Sequence, residues 1–327
     1  MDKPLSISGY KKYMQCPKMY EYHYVDKDRP GSMTSALAFG SIMDDVINNI
    51  LLNKETDPYT ELARACIKVM HDPMMFYVDD LDVDLINLDL IKVRAMEKGW
   101  KGKDISSALK SFMKDQDSLS EGQLNVLQLA VWTSLHTKGK AMLDGFIKWV
   151  LPTIDTVHDV QKHLVSKQGD VHGYLDFTCT LKDGRRVLFD IKTSKSSYDR
   201  DAVLKSPQLA LYCGIEKYDY AGFIVLNKTM KKNKVKTCKN CSDVRIEGGN
   251  TKKCPSCKET LEFTVSPTSY VQVLIDRMPA RNINLTAEAM RATIENIREN
   301  RFPRNLDTCS WIFGKPCIYF DKCWKGK

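Results

Sequence analysis

The sequence predicts an α/β fold, and three observations carry that prediction. Amphipathic helical text dominates the first half. A run of strand-like segments follows near 159–165, 172–181, 185–192, 221–227 and 269–276, with a helix near 206–217 between the third and fourth. The composition, 43% hydrophobic and 28% charged over 327 residues, is that of a folded globular chain, which excludes global disorder and fibrous architectures.

A first helix is expected over 9–25 with Ser8 as its N-cap. Tyr10, Tyr13, Cys16 and Tyr20 share one face, and Pro17 marks a break beside Cys16. A second helix over 39–52 carries the stripe Ile42, Val46, Ile47 and Ile50. Residues 57–151 read as helical throughout, apart from an acidic loop holding Asp79, Asp80, Asp82 and Asp84. That loop lacks the glycine and distal glutamate of a calcium-binding hand and reads as solvated. A last helix is expected over 287–300, after Thr286. Residues 228–265 form a polar insertion between two strands, with no core of its own.

The net charge of +8 leans toward an anionic partner such as nucleic acid. No stretch approaches the roughly 18–20 apolar residues of a membrane span. The opening MDKPLSISGY has no apolar signal core, so a soluble, cytoplasmic chain is expected.

The stretch 173–195 is the most informative. Leu175, Phe177, Cys179 and Leu181 alternate onto one face of the first strand, leaving Asp176 on the other. In the second strand Val187, Phe189 and Ile191 alternate with Asp190 and Lys192. A two-residue turn would put the two aspartates on opposite faces. A three-residue turn, Lys182-Asp183-Gly184 with Gly184 left-handed, pairs Leu181 with Arg185 and Asp176 with Asp190, and satisfies both patterns. Carboxylates directly opposed across a sheet stand about 5 Å apart at Cβ and repel unless a cation lies between them. Mg²⁺ or Mn²⁺ suits such oxygen donors, and a neighbouring lysine can position water or neutralise charge on phosphorus. On this pattern alone, an ordinary hairpin with a polar outer face is an equal alternative.

Eleven cysteines in a chain expected to be intracellular point to metal rather than disulfides. Cys66, Cys179 and Cys213 sit singly in apolar patterns and read as core thiols. Cys238-x2-Cys241-x12-Cys254-x2-Cys257 matches a tetrahedral Zn²⁺ ribbon, whose metal would supply the folding energy this polar insertion lacks. Lysines 228, 231, 232, 234 and 236 lead into it, leaving phosphate contact and a structural or docking role equally open. Cys309, Cys317 and Cys323 form a three-thiol set that needs a fourth ligand.

Taken together, these motifs resemble the PD-(D/E)XK nuclease superfamily, with Asp176 as first acid and Asp190-Ile191-Lys192 as second motif. The likeness is to its RecB-type branch, including the nucleases of CRISPR adaptation and the phage and helicase-linked exonucleases. LSISGYKKYMQCPKMYEYHY resembles that branch's opening helix, and FGSIMDDVI its second helix. Asp44 stands where the branch has a metal-binding histidine. PQLALYCG matches its Gln-x-x-x-Tyr helix through Gln208 and Tyr212.

The resemblance implies a mixed central sheet flanked by helices, built from residues 1–52 and 153–327. A helical insertion (53–152) and the zinc-ribbon insertion (228–265) would interrupt it. It implies Mg²⁺ or Mn²⁺ held by Asp44, Asp176, Asp190 and the Ile191 carbonyl, with Lys192 catalytic and Gln208 and Tyr212 on the DNA strand. It also implies an iron–sulfur cluster, [4Fe–4S] rather than Zn²⁺, on Cys16, Cys309, Cys317 and Cys323. The activity implied is a single-strand-directed DNA exonuclease of replication, recombination or repair, in a bacterial or phage-infected cell. Its substrate would be single-stranded DNA or DNA with free ends, with a helicase or recombination partner. The alternatives are an endonuclease or end-trimming factor of recombination or spacer capture, and a non-catalytic, metal-stapled nucleic-acid-binding subunit. The Asp44 replacement favours the last.

Overall fold

A computed structural model describes residues 4–29, 34–70, 121–228, 271–309 and 317–326. It also describes the short pieces 234–237, 244–246 and 262–265 and the single residues Lys253 and Lys258. The acidic loop and the four cysteines of the expected zinc ribbon lie outside the described residues.

Strand β1 (Leu5–Ser6) leads into helix α1 (Ile7–Gln15), capped by the Ser6 hydroxyl, which accepts the Gly9 N–H at 3.0 Å. The cap thus falls two residues before the expected Ser8. The expected single helix over 9–25 is divided. Cys16 is extended (φ −161°, ψ 115°) because Pro17 opens a new helix, α2 (Pro17–Tyr20), that runs into a π-helical turn, Glu21–Val25.

Helices α3 (Ser35–Leu51) and α4 (Pro58–Met70) follow, then α5 (Glu121–Gly145), which ends in a π-helical turn, Phe146–Val150. The strand-rich part is β2 (Ile154–Val165), β3 (Val171–Leu181), β4 (Arg186–Ser194), α6 (Pro207–Glu216) and β5 (Tyr220–Asn227). Short strands β6 (Lys234–Thr237), β7 (Val244–Ile246) and β8 (Glu262–Val265) form a separate antiparallel sheet, β7-β6-β8, within the polar insertion. The chain closes with β9 (Val271–Arg277), α7 (Ala280–Arg298), α8 (Leu306–Cys309) and α9 (Phe320–Lys325).

The main sheet is mixed and six-stranded. Its order is β1-β3-β4-β5-β9, and β2 also pairs with β3. β4 and β5 run parallel, joined through α6, and β5 is antiparallel to β9. Helices cover both faces. On one, α3, α4 and α5 bury Phe39, Ile42, Val46, Leu62, Trp132 and Phe146 against Phe177, Phe189 and Ile191. Residues of the helical segment between 53 and 152 therefore share one apolar core with the sheet. On the other face α1, α6 and α7 bury Tyr10, Leu209, Tyr212, Met290 and Ile294 against Leu188, Phe223 and Val225. Each such fully buried side chain contributes about 1.5–3 kcal/mol.

The β3–β4 turn takes the three-residue form. The Leu181 N–H donates to the Arg185 carbonyl at 2.9 Å, and Gly184 is left-handed at φ +85°, a conformation glycine adopts without penalty. The register runs from Thr180↔Arg186 to Phe177↔Phe189 and ends there, one step short of Asp176 and Asp190. One expectation fails. Strict alternation would place Leu175 with Phe177, yet Leu175 belongs to the α6-side core and Phe177 to the α3-side core. The phase changes at Asp176, opposite Gln161 of β2, whose φ of +51° interrupts the β2–β3 ladder between Val160↔Phe177 and Lys162↔Leu175.

Among the described residues, no helix is long and apolar enough to cross a membrane.

Candidate active site

The phase change opens a gap in the sheet. β2 pairs with β3 along one edge from 172 to 181, so β1 and β4 share the other edge. β1 meets Val171 and His172, and β4 meets residues 177–180. Residues 173–176 are left without a strand on that edge, and Asp176 stands at its end. Its Oδ2 accepts the Ile191 N–H at 2.6 Å, a donor that has lost its ladder partner. The N–H and C=O of an extended residue point to the same strand edge, so the Ile191 carbonyl faces this gap as well.

Asp190 is 1% exposed and held from two sides. Gln208 Nε2 donates to Oδ1 at 2.6 Å, and the Lys192 ammonium lies 2.7 Å from Oδ2. Asp44, on α3, lies in the electrostatic field of Asp190, Asp176 and Lys192. That helix approaches β4 so closely that a Cβ on Gly40, one turn before Asp44, would meet the Thr193 hydroxyl at 3.3 Å.

The electrostatics are those of crowded acids. Burial first, then Asp190 and Asp45, push the Asp44 carboxyl up to about 7 against the pull of Lys192. Burial, then Asp190 and Asp44, push Asp176 up to about 8, opposed by Lys192 and by the Ile191 N–H. Burial works to lower the Lys192 ammonium, but Asp190, Asp176 and Asp44 together hold it above its ordinary range. Three acids share the field of Lys192, with Lys11 beyond Gln208, and a hard divalent cation would relieve the repulsion among them. By this chemistry the residues fit Mg²⁺ or Mn²⁺. As the side chains stand, no three His, Cys, Asp or Glu residues among those described converge on a single point. Oxygens of Asp176 and Asp190 are instead committed to Ile191, Gln208 and Lys192.

Gln208 and Tyr212 lie one turn apart on α6, which begins at Pro207 under a Ser206 cap. Both are buried, Tyr212 to 1% exposure. The Tyr212 ring fills the place that a side chain on Gly173 would take: a Cβ there would stand 2.5 Å from the Tyr212 hydroxyl. In this conformation Gln208 serves Asp190, and Tyr212 packs under the unpaired stretch of β3.

Two residues near the site have no role in the sequence motifs, although Lys11 lies within the opening-helix stretch. Lys11 of α1 donates to Gln208 Oε1 at 2.9 Å. Tyr198, in the loop after β4, stands in the field of Lys192 and Asp190, and its main chain is pinned to β9 by paired bonds with the Gln272 amide at 2.8 and 2.9 Å. Neither belongs to a periodic pattern, so neither leaves a local signal.

The four cysteines expected to hold a cluster lie near one another, although as their side chains stand they too form no metal-holding group. Cys16, Cys309, Cys317 and Cys323 line one small cavity with Met19, Tyr22, Tyr319 and Trp324. All four are free thiols. Burial raises the Cys317 thiol most, a backbone bond at Tyr319 lowers it, and the other three cysteines add to the rise. Four thiols in an apolar pocket are donors suited to Zn²⁺ or to an iron–sulfur cluster.

A mixed sheet flanked by helices carries Asp176, Asp190 and Lys192 where the β3–β4 pairing ends, side chains whose chemistry suits a divalent cation beside an ammonium. The model of the PD-(D/E)XK nuclease superfamily matches residues 4–311, and the chain belongs to that superfamily. Its members generally use Mg²⁺ or Mn²⁺. No curated protein matches the sequence. Among solved structures, one similar to this chain is a crystal structure from Eubacterium rectale provisionally described as an exonuclease. It is 7% identical, covers 98% of this chain and 92% of its own, and has a TM-score of 0.41. Another, the protein SSO0001, is 10% identical over 67% of this chain and 81% of its own, with a TM-score of 0.28.

Proposed function

We propose that this protein is a Mg²⁺- or Mn²⁺-dependent deoxyribonuclease, acting as an exonuclease on single-stranded DNA or on DNA with free ends. The observation that supports the reading is the end of the β3–β4 ladder, where Asp176 accepts the Ile191 N–H and Lys192 closes on Asp190. Asp44, Asp176, Asp190 and the Ile191 carbonyl would hold the cation. When bound, it supplies an activated water and stabilises charge developing on phosphorus. The Lys192 ammonium lies beside the acids, placed to orient the attacking water and to offset negative charge on the phosphate oxygens. Gln208 fixes the buried Asp190, and Tyr212 supports the strand that carries Asp176. The net charge of +8 favours an anionic polymer as substrate.

Cys16, Cys309, Cys317 and Cys323 would hold a [4Fe–4S] cluster as a staple between the start of α2 and the C-terminal segment. Cys238, Cys241, Cys254 and Cys257 would hold Zn²⁺ in the insertion. A helicase or recombination partner fits an enzyme that consumes free ends.

The test is cleavage of single- and double-stranded, linear and circular DNA with Mg²⁺ or Mn²⁺, comparing wild type with Asp190→Ala. Metal-dependent loss of linear substrate, abolished by the substitution and sparing closed circles, is the expected result. No metal-dependent cleavage, or cleavage indifferent to Asp190→Ala, would remove the enzymatic reading.

A further inference from the structure

Lys11 lies on α1 beside the buried Tyr10; the residue as a whole is exposed, yet its ammonium reaches the buried Gln208. α1 is firmly placed. Ser6 caps it, the Tyr13 hydroxyl donates to the Arg301 carbonyl at 2.7 Å, and Asn305 Nδ2 donates to the Gln15 carbonyl at 2.9 Å. The Lys11 ammonium sits 2.9 Å from Gln208 Oε1, while Gln208 Nε2 donates to Asp190 Oδ1 at 2.6 Å.

A carboxamide is not symmetric. Only its oxygen accepts from an ammonium, and only its nitrogen donates to a carboxylate. With a cation at one end and a buried anion at the other, the Gln208 amide has one permitted orientation. Turning it over would set N–H against ammonium and oxygen against carboxylate. Asp190 favours this orientation by itself and the Tyr212 hydroxyl also bonds Gln208; Lys11 reinforces the choice from the Oε1 end. Lys11 is also a second cation in the field of the site. Burial and then Lys192 lower its affinity for a proton, and Asp190 restores part of it.

We propose that Lys11 is a positioning residue of this site: by locking the Gln208 amide it keeps Asp190 Oδ1 saturated and leaves Oδ2 as the oxygen offered to Lys192 and to a divalent cation. The inference rests on the metal-dependent reading above, but its first test does not need turnover. Full-length protein carrying ¹⁵N in glutamine side chains is compared with Lys11→Met and Lys11→Arg, the Gln208 resonance being assigned by its loss in Gln208→Glu. Slow amide exchange in wild type and Lys11→Arg, with fast exchange in Lys11→Met, is expected. Equal exchange in all three overturns the proposal.

The second test is a calorimetric Mn²⁺ titration. Lys11→Met also removes a cation that opposes metal binding, so weaker Mn²⁺ binding in Lys11→Met and not in Lys11→Arg is expected from the positioning role, whereas tighter binding in Lys11→Met would show that Lys11 acts by charge alone and overturn the proposal. The third is a cleavage cycle with Gln208→Ala. Losses that fail to add show that Lys11 acts through Gln208, whereas additive losses would mean that it acts elsewhere and overturn the proposal. A wild type that neither binds Mn²⁺ nor cleaves DNA removes the nuclease reading, and amide exchange still decides the role of Lys11.

Discussion

Asp176 Oδ2 accepts the Ile191 N–H at 2.6 Å, and this bond stands where the β3–β4 ladder has ended. A side chain that would ligate metal therefore also completes the backbone of the strand carrying the second acid. Fold and chemistry can be separated by choice of substitution. Asp176→Asn keeps an oxygen for Ile191 and is expected to melt near wild type while losing cleavage. Asp190→Asn keeps an oxygen for Gln208 but not the charge. Losing a metal-binding carboxylate removes several kcal/mol of transition-state stabilisation, so about 10³-fold lower kcat/KM is expected for each. Lys192→Met is expected to lose about 10²–10⁴-fold, the range for a positioned proton-transfer group. Single-turnover cleavage by proteins of matched melting temperature checks all three. Near-normal rates in Asp190→Asn would sink the assignment.

Crowded acids make the metal-free protein sensitive to pH. Asp44 and Asp176 are raised to about 7 and about 8 in the folded chain, against about 3.9 for an unfolded aspartate. The folded state therefore binds more protons than the unfolded state between those values. Stability from these groups is fully present below pH 4 and is lost as pH rises through 7 and 8. Urea denaturation in the presence of a chelator is expected to show stability falling from pH 5 to pH 9. Asp44→Asn should flatten that slope, and excess Mg²⁺ should reverse it by binding the ionised form. A metal-free profile that rises toward pH 9 would contradict the crowding of these carboxylates.

Much of the site could be read locally, because its chemistry lies in a hairpin whose turn length is fixed by two alternating patterns. Gly184 supplies the left-handed turn residue, and Val187, Phe189 and Ile191 leave Asp190 and Lys192 no choice of face. The phase change at Asp176 was not legible, since the positive φ opposite it falls on Gln161 rather than on a glycine. The start of α7 at Ala280 rather than near 287 was missed for a different reason. Its buried residues, Met290, Thr293, Ile294 and Ile297, all lie in the second half, and its first turn has no side-chain cap. Lys11 escaped because it is one of two adjacent lysines on an outward face, and its partner lies 197 residues away.

Gly173 gives a test of the support under the acids. A Cβ there would stand 2.5 Å from the Tyr212 hydroxyl and 2.7 Å from its ring, and Tyr212 is fully enclosed. Gly173→Ala should therefore cost about 1–3 kcal/mol, the usual penalty of overpacking. Because Gly173 lies three residues from Asp176, cleavage should fall further than stability alone accounts for. Tyr212→Leu in the same background removes the ring and is expected to recover part of the stability. Chemical denaturation of the single and double variants measures both effects, and an unaffected Gly173→Ala would show that Tyr212 can leave its place freely.

The four terminal cysteines make the last prediction. They bring Cys16, at the break between α1 and α2, beside Cys309 of α8 and Cys323 of α9. The same junction is held without metal by modest contacts: Tyr319 donates to the Asp28 carbonyl at 2.5 Å, and Lys322 pairs with Asp28 at 2.8 Å. Asn305 and Thr308 also bond the Gln15 carbonyl, so a cluster would add to an attachment already made by hydrogen bonds and an exposed ion pair. Protein purified without oxygen is expected to be brown and to carry iron. Cys16→Ser or Cys309→Ser should lose the colour and the iron, lower the melting temperature and expose the segment after 300 to protease. Zinc held by Cys238, Cys241, Cys254 and Cys257 should be retained in both variants, because it would occupy a separate site. A colourless anaerobic preparation with zinc at both cysteine sets would replace the cluster with a second zinc staple.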